Sequence, residues 1–169
     1  MQDQTDAATE AAPRPTVTFR ALGIPEPLLR AVADLGFERC TPIQQEVLPY
    51  TLLGHDCIGK AQTGTGKTAA FLLTIMSDLL RNPPDEQRYM GEPRALVIAP
   101  TRELVLQIGK DAEELAAHAG LHIVTLIGGV DYDRQRQQLE RKLVDILVAT
   151  PGRLMDFHSQ RQIHLDRIE

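Results

Sequence analysis

The chain has 169 residues, of which 43% are hydrophobic, and this length and apolar content suit one globular domain with its own core. A formal net charge of −5 at pH 7 argues against a protein whose whole surface is basic, although a local group of cations can still contact nucleic acid. The two cysteines, Cys40 and Cys57, lack metal-ligand spacing and are expected to be buried, reduced thiols.

The N-terminal residues 1–16 are acidic and polar, and we expect them to be a disordered tail. They lack the apolar core of a signal peptide, and no apolar run in the chain reaches the roughly 20 residues that a membrane span needs. These features predict a soluble, cytoplasmic protein with no membrane contact.

Helical and strand patterns alternate along the rest of the chain. Helices are predicted at 25–36, 41–54, 66–80, 101–120 and 131–143, and strands at 56–61, 94–100, 122–129 and 144–152. Such alternation is typical of an α/β fold, a parallel sheet with helices on both faces. Ligands bind at the carboxyl ends of the strands in these folds, and the candidate motifs are expected there, immediately after the apolar strands.

The segment AQTGTGKT, residues 61–68, has the composition of a phosphate-binding loop between a strand and a helix. Gly64 and Gly66 allow backbone amides to point inward, Lys67 can reach terminal phosphates, and the Thr68 hydroxyl can bind magnesium. The positive end of the following helix dipole adds to this attraction. The alternative is a glycine-rich turn that contains Gly-Lys-Thr by chance.

The segment GFERCTPIQ, residues 36–44, precedes this loop. The Gln44 amide carries a donor and an acceptor that can match N6 and N7 of adenine, and Phe37 offers a flat face to the ring. A surface glutamine at a helix start is the alternative.

Three further motifs each follow a predicted strand: PTREL at 100–104, GG at 128–129 and TPGR at 150–153. Arg102 and Arg153 can pair with nucleic-acid phosphates, and the glycines allow a backbone to approach closely. Taken singly, PTREL can equally be a helix cap formed by Thr101, and the other two can be plain turns.

In this order the motifs resemble those of the DEAD-box ATP-dependent RNA helicases, most of all the bacterial RhlB type. GFERCTPIQ resembles the Q motif, with Phe19 as its isolated upstream aromatic residue, and AQTGTGKT resembles motif I. APTREL, GG and TPGR resemble motifs Ia, GG and Ib. The resemblance runs from about residue 19 to residue 169.

The resemblance implies a RecA-like fold and an RNA-dependent ATPase that uses ATP and Mg²⁺ to unwind short RNA duplexes. Lys67 and Thr68 would be the catalytic residues of motif I, with Thr68 contacting Mg²⁺ through the nucleotide. The implied nucleotide-binding residues are Phe19, Phe37, Arg39, Thr41, Gln44, Ala61, Gln62, Thr63, Gly64, Thr65, Gly66, Lys67 and Thr68. The implied RNA-binding residues are Pro100, Thr101, Arg102, Gly128, Gly129, Thr150, Pro151, Gly152 and Arg153. An RNA-degrading ribonuclease complex is an implied partner of the whole protein.

The family's DEAD box is not found in the sequence, and no substitute carboxylate follows an apolar strand. Glu103, Asp131 and Asp145 belong to other features. Residues 17–169 are therefore expected to be the N-terminal part of the first RecA-like domain, with the second domain absent. We expect this chain to bind adenine nucleotide and RNA without turnover.

Three other interpretations stay open at this point. They are a P-loop kinase or other NTPase that acts on a small molecule, a DNA helicase or translocase, and a natural non-catalytic binding module. The polar stretch 133–142 is interpreted as a solvated helix face.

Overall fold

The computed structural model describes residues 17–84 and 86–169, so the predicted tail at 1–16 lies outside the described residues. After a short 3₁₀ helix at Arg20–Leu22, these residues form six α-helices and three strands. No helix among them is both long and apolar enough to cross a bilayer. The helices are α1 (Glu26–Asp34), α2 (Pro42–Thr51), α3 (Lys67–Arg81), α4 (Arg102–Leu115), α5 (Tyr132–Arg141) and α6 (Pro151–Ser159). The strands are β1 (Ala95–Ile98), β2 (Ile123–Leu126) and β3 (Ile146–Ala149).

The three strands form one parallel sheet in the order β1-β3-β2. Ile146 at the start of β3 pairs with Ala95 on one side and Ile123 on the other, while Ala149 at its end pairs with Ile98 and Leu126. The strands are therefore in step, and their carboxyl ends lie at one edge of the sheet. This arrangement confirms the predicted parallel α/β fold.

The central strand β3 separates two apolar cores, because all four of its residues are buried and successive side chains face opposite sides of the sheet. The larger core contains Ile146 and Val148, and the smaller contains Leu147 and Ala149. The larger core is completed mainly by α1, α3 and α4, and the smaller by α5 and α6, as shown by Leu28, Leu72, Val105, Leu139, Leu154 and Phe157. Helices thus cover both faces, as the sequence predicts.

The strand predicted at 56–61 is absent, and this prediction is wrong for the structure. Residues 55–60 are an exposed loop, with Ile58 91% exposed. A strand needs a neighbouring backbone to pair with, and within the described residues β1 pairs only with β3. The same exposure corrects the prediction for Cys57, whose side chain is exposed, whereas Cys40 is buried as expected.

Candidate nucleotide and nucleic-acid sites

The predicted phosphate loop leads directly into α3, whose first residue is Lys67. Gly64 and Gly66 have φ angles of 79° and 89°, a left-handed conformation that glycine adopts without steric cost. The Thr65 hydroxyl donates to the carbonyl of Gln62 at 2.6 Å and closes the loop on itself. The first N–H groups of α3 have no partner within the helix, so they and the helix dipole favour an anion at this end.

The two residues predicted for catalysis stand at the start of α3. Lys67 Nζ donates to the carbonyl oxygen of Ala61, so the ammonium group lies across the loop. Phosphate oxygens are alternative acceptors for the same three N–H donors. Thr68 is partly exposed and lines the adjacent cleft.

Gln44 lies beneath the phosphate loop and joins it to the start of α2. Its Oε1 accepts from the backbone N–H of Thr41 at 2.9 Å, and its Nε2 donates to the carbonyl of Gly66 at 3.1 Å. A Cβ atom at Gly66 would collide with this amide, so the contact depends on glycine there. Gln44 is only 3% exposed, so the alternative interpretation as a surface glutamine is wrong. One N–H and one lone pair of this amide still have no assigned partner.

A cleft of about 1120 Å³ separates the phosphate loop, α2 and α3 from β1 and α4. The predicted nucleotide-binding residues that line it are Phe37, Thr63, Gly64, Gly66, Lys67 and Thr68. Phe19 does not line the cleft, because it is buried in the larger core beside the start of α1. An isolated aromatic residue has the same appearance in a sequence whether it packs in a core or stacks on a base, so this position could not be distinguished beforehand.

The described residues offer little of their own for a magnesium ion. Across 17–84 and 86–169, no group of three or more His, Cys, Asp or Glu side chains is close enough to hold a metal. Magnesium prefers about six oxygen ligands, so Thr68 fits only as one ligand of an ion that nucleotide phosphates and water largely coordinate. Asp145 lies at the amino end of β3, away from the loop, where it pairs with Arg88 at 3.1 Å.

The residues predicted to bind RNA come together around the turn at 127–131, which follows β2. The guanidinium group of Arg102 lies against Gly129, so any side chain at position 129 would collide with it. Gly129 also has a positive φ of 73°. Arg153 Nη2 donates to the carbonyl of Val130 at 3.2 Å. The PTREL and TPGR segments, which are far apart in sequence, therefore both contact the turn that contains GG.

Arg153 is held in place by aromatic side chains. Its guanidinium carbon lies 5.8 Å from the centre of the Tyr132 ring, and that ring stacks on Phe157 with a centroid separation of 4.2 Å. The Arg153 side chain is 12% exposed and forms an ion pair with Asp156, with 3.9 Å between Nε and Oδ2, while its buried Nε and Nη1 atoms form no hydrogen bond in the described structure. Burial raises the pKa of Tyr132, which therefore stays neutral beside this cation. Arg153 thus places a positive charge beside the turn at 127–131, which favours an anion such as a phosphate there.

Two helix N-termini face the same edge of the sheet. Thr101 caps α4, because its Oγ1 accepts from the N–H of Leu104 at 3.2 Å. Thr101 and Pro100 are also exposed, so the capping role does not prevent contact with a ligand. Thr150 occupies the corresponding position before α6, with Pro151 and Gly152 exposed in its first turn. Both N-termini present backbone N–H groups and positive dipole ends, which favour phosphate groups.

Comparison with known proteins identifies the family. The family model described as DEAD/DEAH box helicase matches residues 41–169, which is more than half of the chain. The chain belongs to this family. It is 58% identical over 151 residues to the ATP-dependent RNA helicase RhlB of Pseudomonas aeruginosa, a match that covers 89% of this chain and 38% of that protein.

The chain is also similar to other RNA helicases. The ATP-dependent RNA helicase RhlB of Xanthomonas oryzae pv. oryzae is 48% identical over 151 residues, which are 89% of this chain and 26% of that protein. The crystal structure of the RNA helicase Prp28 from Chaetomium thermophilum bound to ADP superposes with a TM-score of 0.77 at 36% identity, covering 92% of this chain and 37% of that one. The chain therefore spans about two fifths or less of these relatives, and its resemblance to the family and to the RhlB type is confirmed.

One residue that supports the GG turn of this helicase domain was missed by the sequence interpretation. Gln135 on α5 is 2% exposed, and its Oε1 accepts from Ile127 N at 2.9 Å while its Nε2 donates to Ile127 O at 3.2 Å. The interpretation of 133–142 as a wholly solvated face is thus wrong at Gln135 and Leu139, both of which are buried. Their i,i+4 spacing was the available signal.

Proposed function

We propose that this chain is the nucleotide- and RNA-binding part of an ATP-dependent RNA helicase of the RhlB type. One observation carries the proposal: a phosphate loop and three cation- or glycine-bearing turns lie near the carboxyl ends of one parallel sheet. A phosphate loop alone fits many NTPases. Arg102 and Arg153 both contact the turn that contains Gly129, and a single nucleotide site does not require this arrangement.

In this proposal the phosphate loop binds ATP. The N–H groups at 64–68 and Lys67 would hold its phosphates, and Thr68 would provide one oxygen ligand to the Mg²⁺ that arrives with the nucleotide. Phe37 at the cleft would contact the base. The unassigned N–H and lone pair of Gln44 would recognise adenine, which requires a small opening of the first turn of α2, because Gln44 is 3% exposed.

RNA would bind along the turn at 127–131 and the N-termini of α4 and α6. Arg102 and Arg153 supply cations, Gly128, Gly129 and Gly152 allow close approach, and the helix ends supply N–H donors. All of these contacts are suited to sugar and phosphate groups, so we expect binding that is largely independent of base sequence. They also explain how a chain with a net charge of −5 can bind a polyanion.

ATP turnover is assigned to the whole helicase and not to these residues alone. Phosphoryl transfer depends on groups that hold the metal, orient the water and stabilise developing charge. The described residues bring no such carboxylate cluster to the phosphate loop. We therefore expect binding of nucleotide by this chain, without hydrolysis above background. A cytoplasmic location and a ribonuclease complex as partner are further parts of the proposal for the whole protein.

The first test is a calorimetric titration of the chain with ADP and, separately, with GDP. We expect ADP to bind at least tenfold more tightly, a difference of about 1.4 kcal/mol. Equal affinities would retain the phosphate loop but remove adenine recognition by Gln44. Binding of neither nucleotide would refute nucleotide binding by this chain.

A second titration compares single-stranded RNA with DNA of the same base sequence, using fluorescence anisotropy. The helicase proposal expects measurable affinity and a preference for RNA. No affinity for either strand would instead favour an NTPase that acts on a small molecule, and a preference for DNA would favour a DNA translocase.

A further inference from the structure

Arg94, immediately before β1, is a buried cation that the proposed site does not use. It is 2% exposed, although arginine is almost never fully buried without partners. Its guanidinium Nε and Nη2 donate to the two carboxylate oxygens of Glu169 at 2.6 and 2.8 Å. This two-point ion pair joins residues 75 positions apart in the chain.

The same guanidinium group holds the far end of the phosphate-loop helix. Nη1 donates to the carbonyl of Leu79 at 3.1 Å, and Nη2 donates to the carbonyl of Asn82 at 2.6 Å. These carbonyls belong to the last turn and C-cap of α3, where helix carbonyls lack intrahelical partners and a cation is stabilised by the dipole. Hydrogen bonding to Glu169 is the main cause of a raised pKa at Arg94, so the group stays charged.

The backbone of Arg94 connects to the sheet on one side and to Glu169 on the other. Its N–H donates to the carbonyl of Asp145, just before β3, at 3.1 Å. Its carbonyl accepts from the N–H of Glu169 at 2.8 Å. Arg94 therefore joins four parts of the fold: the end of α3, the start of β1, the start of β3 and the segment at Glu169.

We propose that Arg94 is a positioning residue for the phosphate loop, because it fixes where α3 lies along the sheet. The inference rests on the proposed nucleotide-binding function of the first turn of α3. An α-helix transmits a shift along its axis nearly rigidly, since its hydrogen bonds run parallel to that axis. Releasing Leu79 and Asn82 from the guanidinium group therefore displaces Gly66 and Lys67 at the opposite end.

The packing of α3 makes this role specific. Its buried side chains are apolar except Ser77, whose hydroxyl forms no hydrogen bond within the described residues, and apolar contacts resist separation of helix and sheet more strongly than sliding. Directional hydrogen bonds from the buried Arg94 guanidinium group constrain the carboxyl end of α3 along its axis, in addition to the bonds that Gln44 and Thr51 make to the helix elsewhere.

The test uses the 169-residue chain with Arg94→Met, which keeps much of the volume and removes all donors, and Arg94→Lys, which keeps the charge. Amide spectra and hydrogen exchange report on Glu169 and on Gly64 and Gly66. In Arg94→Met we expect lost protection at Glu169, shifted amide signals at both glycines, and ADP affinity lower by about three- to tenfold. Arg94→Lys should restore these only in part, because an ammonium group cannot make the two-point contact.

A control variant separates positioning from general destabilisation. Ile163→Val removes one buried methylene from the smaller core, on the opposite face of the sheet from α3. Measured well below its unfolding temperature, this variant should keep the glycine amide signals and the ADP affinity of the unmodified chain.

The outcomes are distinct. Unshifted signals at Gly64 and Gly66 in Arg94→Met would overturn the inference, as would equal shifts in Ile163→Val. If the unmodified chain does not bind ADP, the proposed nucleotide function fails, and the amide shifts alone still decide whether Arg94 positions the loop.

Discussion

Replacing Gln135 by methionine should destabilise the domain far more than a surface substitution on the same helix. Methionine preserves the length of the side chain but cannot hydrogen bond to the N–H and carbonyl of Ile127, which is itself buried. Each buried backbone group left without a partner costs about 1–3 kcal/mol, so for the two groups of Ile127 we expect a loss of about 2–6 kcal/mol in the free energy of unfolding.

Urea denaturation followed by far-ultraviolet circular dichroism measures this loss. Gln137→Met is the matched control, because Gln137 is exposed on the same helix, and its effect should stay within about 0.5 kcal/mol. At low temperature, where both variants are folded, Gln135→Met should also bind single-stranded RNA more weakly, since the turn at 127–131 is no longer held. Equal stabilities of the two variants would refute the assignment of Gln135 as the support of this turn.

Three further results are expected. Gly66→Ala should weaken ADP binding by at least about tenfold, because a methyl group there strains the backbone and collides with the first turn of α2, whereas Gly36→Ala, also at positive φ but with open space around it, should bind ADP normally by calorimetry. Arg153→Met should weaken RNA binding equally for all base sequences and lower the slope of log affinity against log salt by about 0.7, as measured by anisotropy; an unchanged slope would remove Arg153 from the phosphate contacts. Burial raises the pKa of Cys40 to about 11, so at pH 8 only about one in a thousand of its thiols is ionised. A thiol reagent should thus modify the exposed Cys57 rapidly and Cys40 only after unfolding, and two fast thiols in the native chain would contradict the burial of Cys40.

The sequence predicted the features that depend on local pattern. The strands β1 and β3 are continuous apolar runs and β2 is apolar except for Thr125, and the helices beside them have helical spacing or clear caps, so the parallel α/β fold followed from periodicity. The glycine-rich turn before α3 also follows from local sequence, because Gly64 and Gly66 adopt a positive φ that glycine alone adopts without steric cost; phosphate binding there stays a prediction.

Features that depend on contacts between distant segments were not predicted. Residues 56–61 have strand composition, but strand formation requires a neighbour, and the described chain provides none there. Burial is equally hidden at Phe19 and Gln135. A phenylalanine or a glutamine has the same appearance in a sequence whether its side chain is buried or exposed. The amide of Gln44 was assigned to a ligand, and only the structure reveals that it also joins α2 to Gly66.

The order of the strands has a consequence for how these residues fold during synthesis. Within the described residues, β1 and β2 each pair only with β3, and β3 comes last along the chain. When the first 140 residues have left the ribosome, β1 and β2 are therefore both present without the strand that each of them pairs with. The loss of loop-closure entropy precedes any pairing among these three strands, so that pairing waits for β3. Until then the phosphate-loop helix has no β3 to pack against, and nascent chains of this length expose their apolar segments to chaperones and proteases.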